Sequence, residues 1–290
     1  MSQMIDSKKT YYLQILPLFI YLAFILIGGI ALALLESLGC FSSSGSEGPT
    51  LLYYRDVIMS KTFLDSLKFS LYTSISSSVL SVVFGLALAI LNLNLKSKRD
   101  FVAGLYKIPI AIPHIVAVLM ISSVFAKTGI IARFINLFNE DFNFGIFSHL
   151  LYNKSGLGLI LVYIWKQTPF VAMTTYAVLS NLDSTLGEAA INLGASRYQV
   201  IRHILIPLSL PTVFSSFIII LAFSFGAYEV PFLIGPTTPK ALPVQAFIEY
   251  TNPLLSNRPY AMVYNILISA INIMMICLLI YVFNKLKEKR

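Results

Sequence analysis

Charged residues are scarce in this chain. They make up 12% of its 290 residues, whereas hydrophobic residues make up 57%. A soluble domain ordinarily carries about 25% charged residues. So low a content excludes a disordered chain and an ordinary water-soluble enzyme. The long uncharged stretches that take their place are typical of a protein that crosses a membrane several times.

Several signatures of catalysis and metal binding are also missing. The chain has no Gly-Lys dipeptide and therefore no Walker A phosphate loop, and it contains neither H-E-x-x-H nor C-x-x-C. Its two cysteines, Cys40 and Cys277, are too far apart for a disulfide framework. His114, His149 and His203 lack the spacing of metal ligands and are interpreted as satisfied or interfacial side chains. We expect no catalytic residue, no metal site and no cofactor bound by this chain.

Six apolar stretches are long enough to cross the hydrocarbon layer, which takes about 20 residues. The predicted spans are residues 11–35, 69–95, 105–126, 156–182, 203–228 and 259–284. The expected fold is therefore all-α, a polytopic membrane protein with a single transmembrane domain over residues 1–290. The first span is too long for a cleaved signal peptide, and no small-residue cleavage site follows it.

The basic residues predict the orientation of these spans. Twelve lie on the side that carries both termini, mostly in short segments, and eight lie in the longer loops of the other side. Positive charge concentrates in cytoplasmic loops, so both termini are expected in the cytoplasm. The net charge of +8 is attributed to this asymmetry and not to nucleic-acid binding. On the outer side, segment 229–257 holds five prolines and is predicted to be an ordered, irregular loop.

Prolines and small residues inside the spans carry further expectations. Pro109 and Pro113 are predicted to free backbone carbonyls in the third span, which neighbouring groups or water must satisfy. A face of small residues at four-residue spacing lets another helix approach closely, either within the chain or at a subunit interface. Its members are Ser77, Ser81, Gly85 and Ala89.

The stretch between the fourth and fifth spans is the most informative part of the sequence. Thr185 with Glu188 predicts a capping box that opens a short helix over residues 185–195. Gly194 suits the left-handed position that ends this helix. Ser196 with Gln199 predicts a second capping box, and Ala189 with Ala190 predicts a small, flat surface suited to another protein's groove. On these caps alone, a plain cytoplasmic loop is an equally good interpretation.

The spacing of these residues resembles the EAA motif of ABC importer permeases. The matching residues are Glu188, Ala189, Ala190, Gly194, Ile204 and Pro207, with Ile206 where the family more often has leucine. The Ile-Pro-Ile-Ala-Ile-Pro run at 108–113 and Trp165 four residues before Pro169 are also similar to these permeases. The chain is identified by resemblance as a type I ABC importer permease. Segment 225–244 looks most like the spermidine/putrescine, thiamine and ferric-iron branch.

The resemblance implies a non-catalytic permease subunit of the bacterial plasma membrane, surrounded by lipid. A second permease subunit, expected to be an unlike chain, would complete the pathway. Two ATPase subunits would bind ATP and Mg²⁺, and an extracytoplasmic binding protein would deliver a solute. A polyamine is favoured, with thiamine, ferric iron and phosphonate as alternatives. The implied ATPase-coupling residues are Thr185, Glu188, Ala189, Ala190, Gly194, Ala195, Ser196, Arg197, Ile204 and Pro207.

Five residues are candidates for the solute path: Trp165, Lys166, Gln167, Tyr228 and Glu229. Lys166 either lines the path, reaches for the interface, or pairs with a backbone carbonyl. Glu229 either meets a cation together with Tyr228 or is a solvated carboxylate of the outer loop. An ion-coupled secondary transporter or channel is the alternative function. It requires ionisable residues in mid-membrane, and only Lys166 is so placed.

Overall fold

A computed structural model describes residues 2–41, 48–94, 99–138, 145–148 and 150–288. Within these ranges the chain forms helices and turns without any strand, and six helical segments are long and apolar enough to span a membrane. The prediction of an all-α fold with six spans is confirmed. Leu95, at the end of the second predicted span, and His149 lie outside the described residues.

The helices follow one another with short connections. They are α1 (Ser2–Ser37), α2 (Leu52–Met59), α3 (Lys61–Asn94), α4 (Arg99–Ala111), α5 (His114–Phe125), α6 (Ile130–Asn136), α7 (Gly145–Ser148), α8 (Leu157–Leu182), α9 (Glu188–Asn192), α10 (Arg197–Val200), α11 (Ile206–Gly226), α12 (Glu229–Ile234), α13 (Leu242–Tyr250) and α14 (Arg258–Glu288). Two π-helical turns, Asp183–Gly187 and Ile201–Leu205, flank α9 and α10. The smaller compact unit comprises Met1–Ser60 and Gln245–Leu267, and the larger comprises Lys61–Val244 and Ile268–Arg290.

The third predicted span is broken in the middle. The helix α4 ends at Ala111, and α5 begins at His114 after Pro113. Proline has no N–H for the helical ladder, and its ring disfavours helical backbone at the preceding residue. The prediction of one continuous span over residues 105–126 is therefore wrong at this point.

The outer segment between α11 and α14 is more regular than its prolines predicted. It contains the helices α12 and α13 and a 3-10 turn, Leu255–Asn257. Pro231 and Pro243 both lie in the first turns of these helices, where a missing N–H leaves no helical bond unmade. The segment is ordered as expected, but the prediction of an irregular loop is wrong.

The small-residue face of α3 packs within the chain. Ser77, Ser81 and Ala89 are buried, and a Cβ on Gly85 would lie 2.6 Å from the Cβ of Val171 in α8. Only glycine lets these two backbones approach so closely. Of the two alternatives for this face, the structure shows the internal one, and the α3–α8 pair forms the centre of the larger unit.

Candidate functional site

The connecting segment, residues 183–205, links α8 to α11 and contains the residues of the EAA resemblance. Its first helix, α9, ends in a Schellman motif at Gly194, whose φ is +92°. The Gly194 N–H donates to the carbonyl of Ile191 at 2.9 Å, and the Ala195 N–H donates to that of Ala190 at 3.0 Å. These are the two bonds that define the motif. The predicted left-handed glycine is confirmed.

The two predicted capping boxes have opposite outcomes. The one at Thr185 is wrong, because α8 continues through the π-helical turn into α9 and leaves no free N–H groups to cap. Thr185 instead donates back to the carbonyl of Asn181 at 3.1 Å. The one at Ser196 is confirmed: its N–H donates to Gln199 Oε1 at 2.8 Å, and the Gln199 N–H donates to Ser196 Oγ.

A bidentate ion pair closes the connecting segment. Both terminal nitrogens of Arg197 donate to the carboxylate of Asp183, at 2.5 and 2.9 Å. Gly187 lies directly against this carboxylate, and any Cβ there would collide with it. Asp183 and Gly187 were absent from the predicted site. The opposite charges at the two ends of a glycine-containing helical hairpin are the signal that could have found them.

The connecting segment has a packed inner face and an exposed outer face. On the inner side, Ala190, Ala195 and Ile204 pack against a buried cluster that includes Leu179 of α8 and Val200 of α10. The outer side exposes large apolar residues: Leu186, Ile191, Leu193 and Tyr198, with Leu193 89% exposed. Glu188, Ala189, Ser196 and Pro207 are exposed as well. The predicted flat surface of Ala189 with Ala190 is half right, since only Ala189 faces outward.

Lys166 pairs with backbone carbonyls at the break in the third span. Its Nζ donates to the carbonyl of Pro109 at 2.7 Å and to that of Ile112 at 2.5 Å, and the side chain is 9% exposed. The Pro109 carbonyl has lost its helical donor because residue 113 is proline. A positive charge is also favourable at the carboxyl end of α4. Of the alternatives for Lys166, the structure shows carbonyl pairing.

Gln167 and Trp165 are separated from the other path candidates. Gln167 is buried, accepts a hydrogen bond from Ser81 Oγ in α3 at 3.4 Å, and donates to Ser224 Oγ in α11. Trp165 is half-buried. Gln167 therefore joins three spans through a polar contact within the larger unit.

Tyr228 and Glu229 line an open cleft of about 370 Å³ between the start of α5 and the turn from α11 to α12. Glu229 is exposed and Tyr228 is half-buried. The remaining lining residues are His114, Phe223, Ala227 and Val230. The ring of His114 packs on that of Phe223, with centroids 5.2 Å apart. The interpretation of His114 as a merely satisfied side chain overlooked its place directly after the Pro113 break.

Residues 81–290 match the family described as binding-protein-dependent transport system inner membrane component. The chain belongs to this family. The resemblance seen in the EAA motif is thereby confirmed, and the permease is an integral membrane protein.

Curated relatives of this permease carry different solutes in their names. It is 26% identical over 168 residues to the ferric transport system permease protein FbpB of Actinobacillus pleuropneumoniae, covering 57% of this chain and 23% of the relative. It is 28% identical to the sulfate transport system permease protein CysT of Salmonella typhimurium, covering 63% of both chains. It is 26% identical to the spermidine/putrescine transport system permease protein PotC of Escherichia coli, covering 69% and 68%. The permease thus spans under a quarter of the ferric relative and about two thirds of the others.

A solved structure shares the fold of the whole permease. The crystal structure of a bacterial ABC transporter involved in the import of the acidic polysaccharide alginate matches with a TM-score of 0.76 at 16% identity, covering 98% of both chains. The match confirms the importer-permease fold.

Proposed function

We propose that this permease forms one half of the solute pathway of an ATP-driven importer and that its connecting segment docks on an ATPase subunit. The observation that carries the proposal is the exposed apolar outer face at Leu186, Ile191, Leu193 and Tyr198. This face lies outside the predicted spans, so lipid does not cover it. Clustered exposed apolar side chains at such a place mark a protein-binding surface.

The build of the connecting segment suits the transmission of motion. The Schellman motif, the Ser196 capping box and the Arg197–Asp183 ion pair hold it as one rigid piece. Its inner face packs on Leu179 of α8, and α8 packs along α3. A displacement of the outer face by a partner therefore moves the spans with it, because packed helices do not deform continuously.

The partners and the orientation follow from this role. A second permease subunit, an unlike chain, completes the pathway. Two ATPase subunits bind ATP and Mg²⁺ on the side of the connecting segment, and a solute-binding protein docks on the opposite side. Both termini lie in the cytoplasm of a bacterial cell, supported by Lys285 and Lys287 in the last turn of α14 and Arg202 in the connecting segment.

The solute we favour is a cationic amine of the polyamine type. Support comes from the exposed Glu229 carboxylate beside the aromatic rings of Tyr228 and Phe223, a combination that attracts organic cations. The relationship to the spermidine/putrescine permease points the same way, whereas the sulfate and ferric relatives make those ions the competing solutes. Ion-coupled transport loses its main support, because the mid-span Lys166 is engaged by two carbonyls.

The docking surface can be tested with Leu193→Asp. A charge at this 89% exposed position leaves the fold intact but is costly to bury against a partner. We expect the variant to reach the membrane normally and to lose most of the co-purifying ATPase. Leu254→Asp is the matched control, since this leucine is 65% exposed but lies just before α14, away from the connecting segment. Normal ATPase recovery with Leu193→Asp would remove the docking proposal.

The solute site can be tested with Glu229→Gln, which removes the charge and keeps the shape. An exposed side chain contributes little to folding, so assembly and basal ATPase activity should be unchanged. Binding of radiolabelled putrescine to the assembled importer should weaken about tenfold, the order expected for one charge-assisted hydrogen bond. Unchanged putrescine binding, or binding of sulfate in its place, would contradict the cationic-solute proposal.

A further inference from the structure

His114 stands at the one point where the third span is broken between two described helices. It is the first residue of α5, directly after Pro113. The backbone before it is held by the hydrogen bonds from Lys166 to the carbonyls of Pro109 and Ile112. On the other side, its ring packs against Phe223 of α11. The imidazole is therefore held in place by two neighbouring spans.

The imidazole of His114 and the carboxylate of Glu229 line the same cleft. Three titratable groups surround His114: Lys166 from α8, and Tyr228 and Glu229 from the turn into α12. The Lys166 ammonium is bonded to carbonyls, whereas Glu229 is exposed. A solute that enters the cleft meets one carboxylate, one imidazole and two aromatic rings.

We propose that His114 is a specificity-determining residue of this cleft for cationic amines. The neutral imidazole accepts a hydrogen bond from an ammonium group that Glu229 attracts. The imidazolium form has no acceptor left, adds a positive charge beside Lys166, and pairs with Glu229 in place of the solute. This inference rests on the proposed solute site and adds a second residue to it.

A dependence on pH follows from this arrangement. Histidine ordinarily titrates near pH 6.5, so acidification of the cleft side converts His114 from an acceptor into a competing cation. Binding of a cationic amine should therefore weaken as the pH falls from 8 to 6. Binding of an anion such as sulfate would strengthen over the same range, which makes the sign of the change diagnostic.

The experiment measures equilibrium binding of radiolabelled putrescine to the assembled importer, without its binding protein, at pH 8 and at pH 6. For the unmodified permease we expect about tenfold weaker binding at pH 6. With His114→Gln, which keeps a hydrogen-bond acceptor but does not titrate, this ratio should fall to about one. With His114→Lys, binding should be weak at both pH values. His203→Gln is the matched control, since this exposed histidine lies in the connecting segment, and it should keep the ratio of the unmodified permease.

The outcomes separate the two proposals. A full pH effect in His114→Gln overturns the role of His114, while weaker binding in Glu229→Gln at both pH values would still support the solute site. If the unmodified permease binds inorganic sulfate and not putrescine, both proposals are overturned. An equal loss of the pH effect in His203→Gln would also overturn the role of His114, because the titrating group would then lie elsewhere.

Discussion

Exchange of Lys166 for methionine should destabilise the folded permease while improving the membrane insertion of its fourth span. The ammonium is the donor to the carbonyls of Pro109 and Ile112. Each buried carbonyl left without a donor costs about 1–3 kcal/mol, and a folded protein is stable by only about 5–15 kcal/mol in total. Insertion should improve, because a lysine inside a span costs about 2.5–3.5 kcal/mol. The two effects therefore have opposite signs in two separate assays.

A glycosylation-based insertion assay of the isolated fourth span and the apparent Tm of the purified permease measure these effects. Lys154→Met is the matched control: Lys154 is exposed just before α8, and its exchange should leave Tm unchanged. Lys166→Arg, which retains N–H donors, should recover part of the loss. An unchanged Tm in Lys166→Met would show that the two carbonyls find other donors, and the account of the broken span would be wrong.

Replacement of Gly194 by valine should abolish transport by loosening the connecting segment from the ATPase. A φ of +92° forces a Cβ-branched residue into a conformation that costs more than about 1–2 kcal/mol. The bonds that close α9, from Gly194 to Ile191 and from Ala195 to Ala190, are lost when the backbone relaxes. We expect normal membrane levels, with either little bound ATPase or ATP hydrolysis without solute uptake.

Solute uptake and ATP hydrolysis in proteoliposomes distinguish these two forms of failure. Gly194→Asn is the informative partner variant, because asparagine tolerates left-handed backbone and often replaces glycine at such helix ends. It should retain most transport. The space around Gly194 is open, with no atom within 4 Å of an added Cβ, so backbone conformation is the only difference between the two variants. Equal transport by Gly194→Val and Gly194→Asn would remove the requirement for a left-handed residue.

Local features of the connecting segment were predictable where a few neighbouring residues decide them. The Gly194 turn and the Ser196–Gln199 box depend on bonds within five residues, and both are present. The box at Thr185 failed because a cap requires a helix to begin, and packing of α8 against α3 carries its helix onward into α9. The Asp183–Arg197 pair was missed because it forms only when the hairpin closes.

The solute path shows the same division. The sequence marked Lys166 as costly in a membrane but left its partner open, because the donor and the carbonyls are more than fifty residues apart and meet only when α4 packs on α8. The five path candidates were chosen for their chemistry, and the structure places only Tyr228 and Glu229 in one cleft. His114 joined them through its position in space.

By itself, the sequence determined that this protein is a helical membrane permease with an EAA-type segment between its fourth and fifth spans. Hydrophobic length, proline and glycine act over a few residues and need no folded neighbour to be read. Only the tertiary structure decided that the third span breaks onto Lys166, that the small face of α3 packs on α8, and that His114 shares a cleft with Glu229. These contacts join distant parts of the chain, and their energy comes from satisfying buried polar groups that no single segment can satisfy alone.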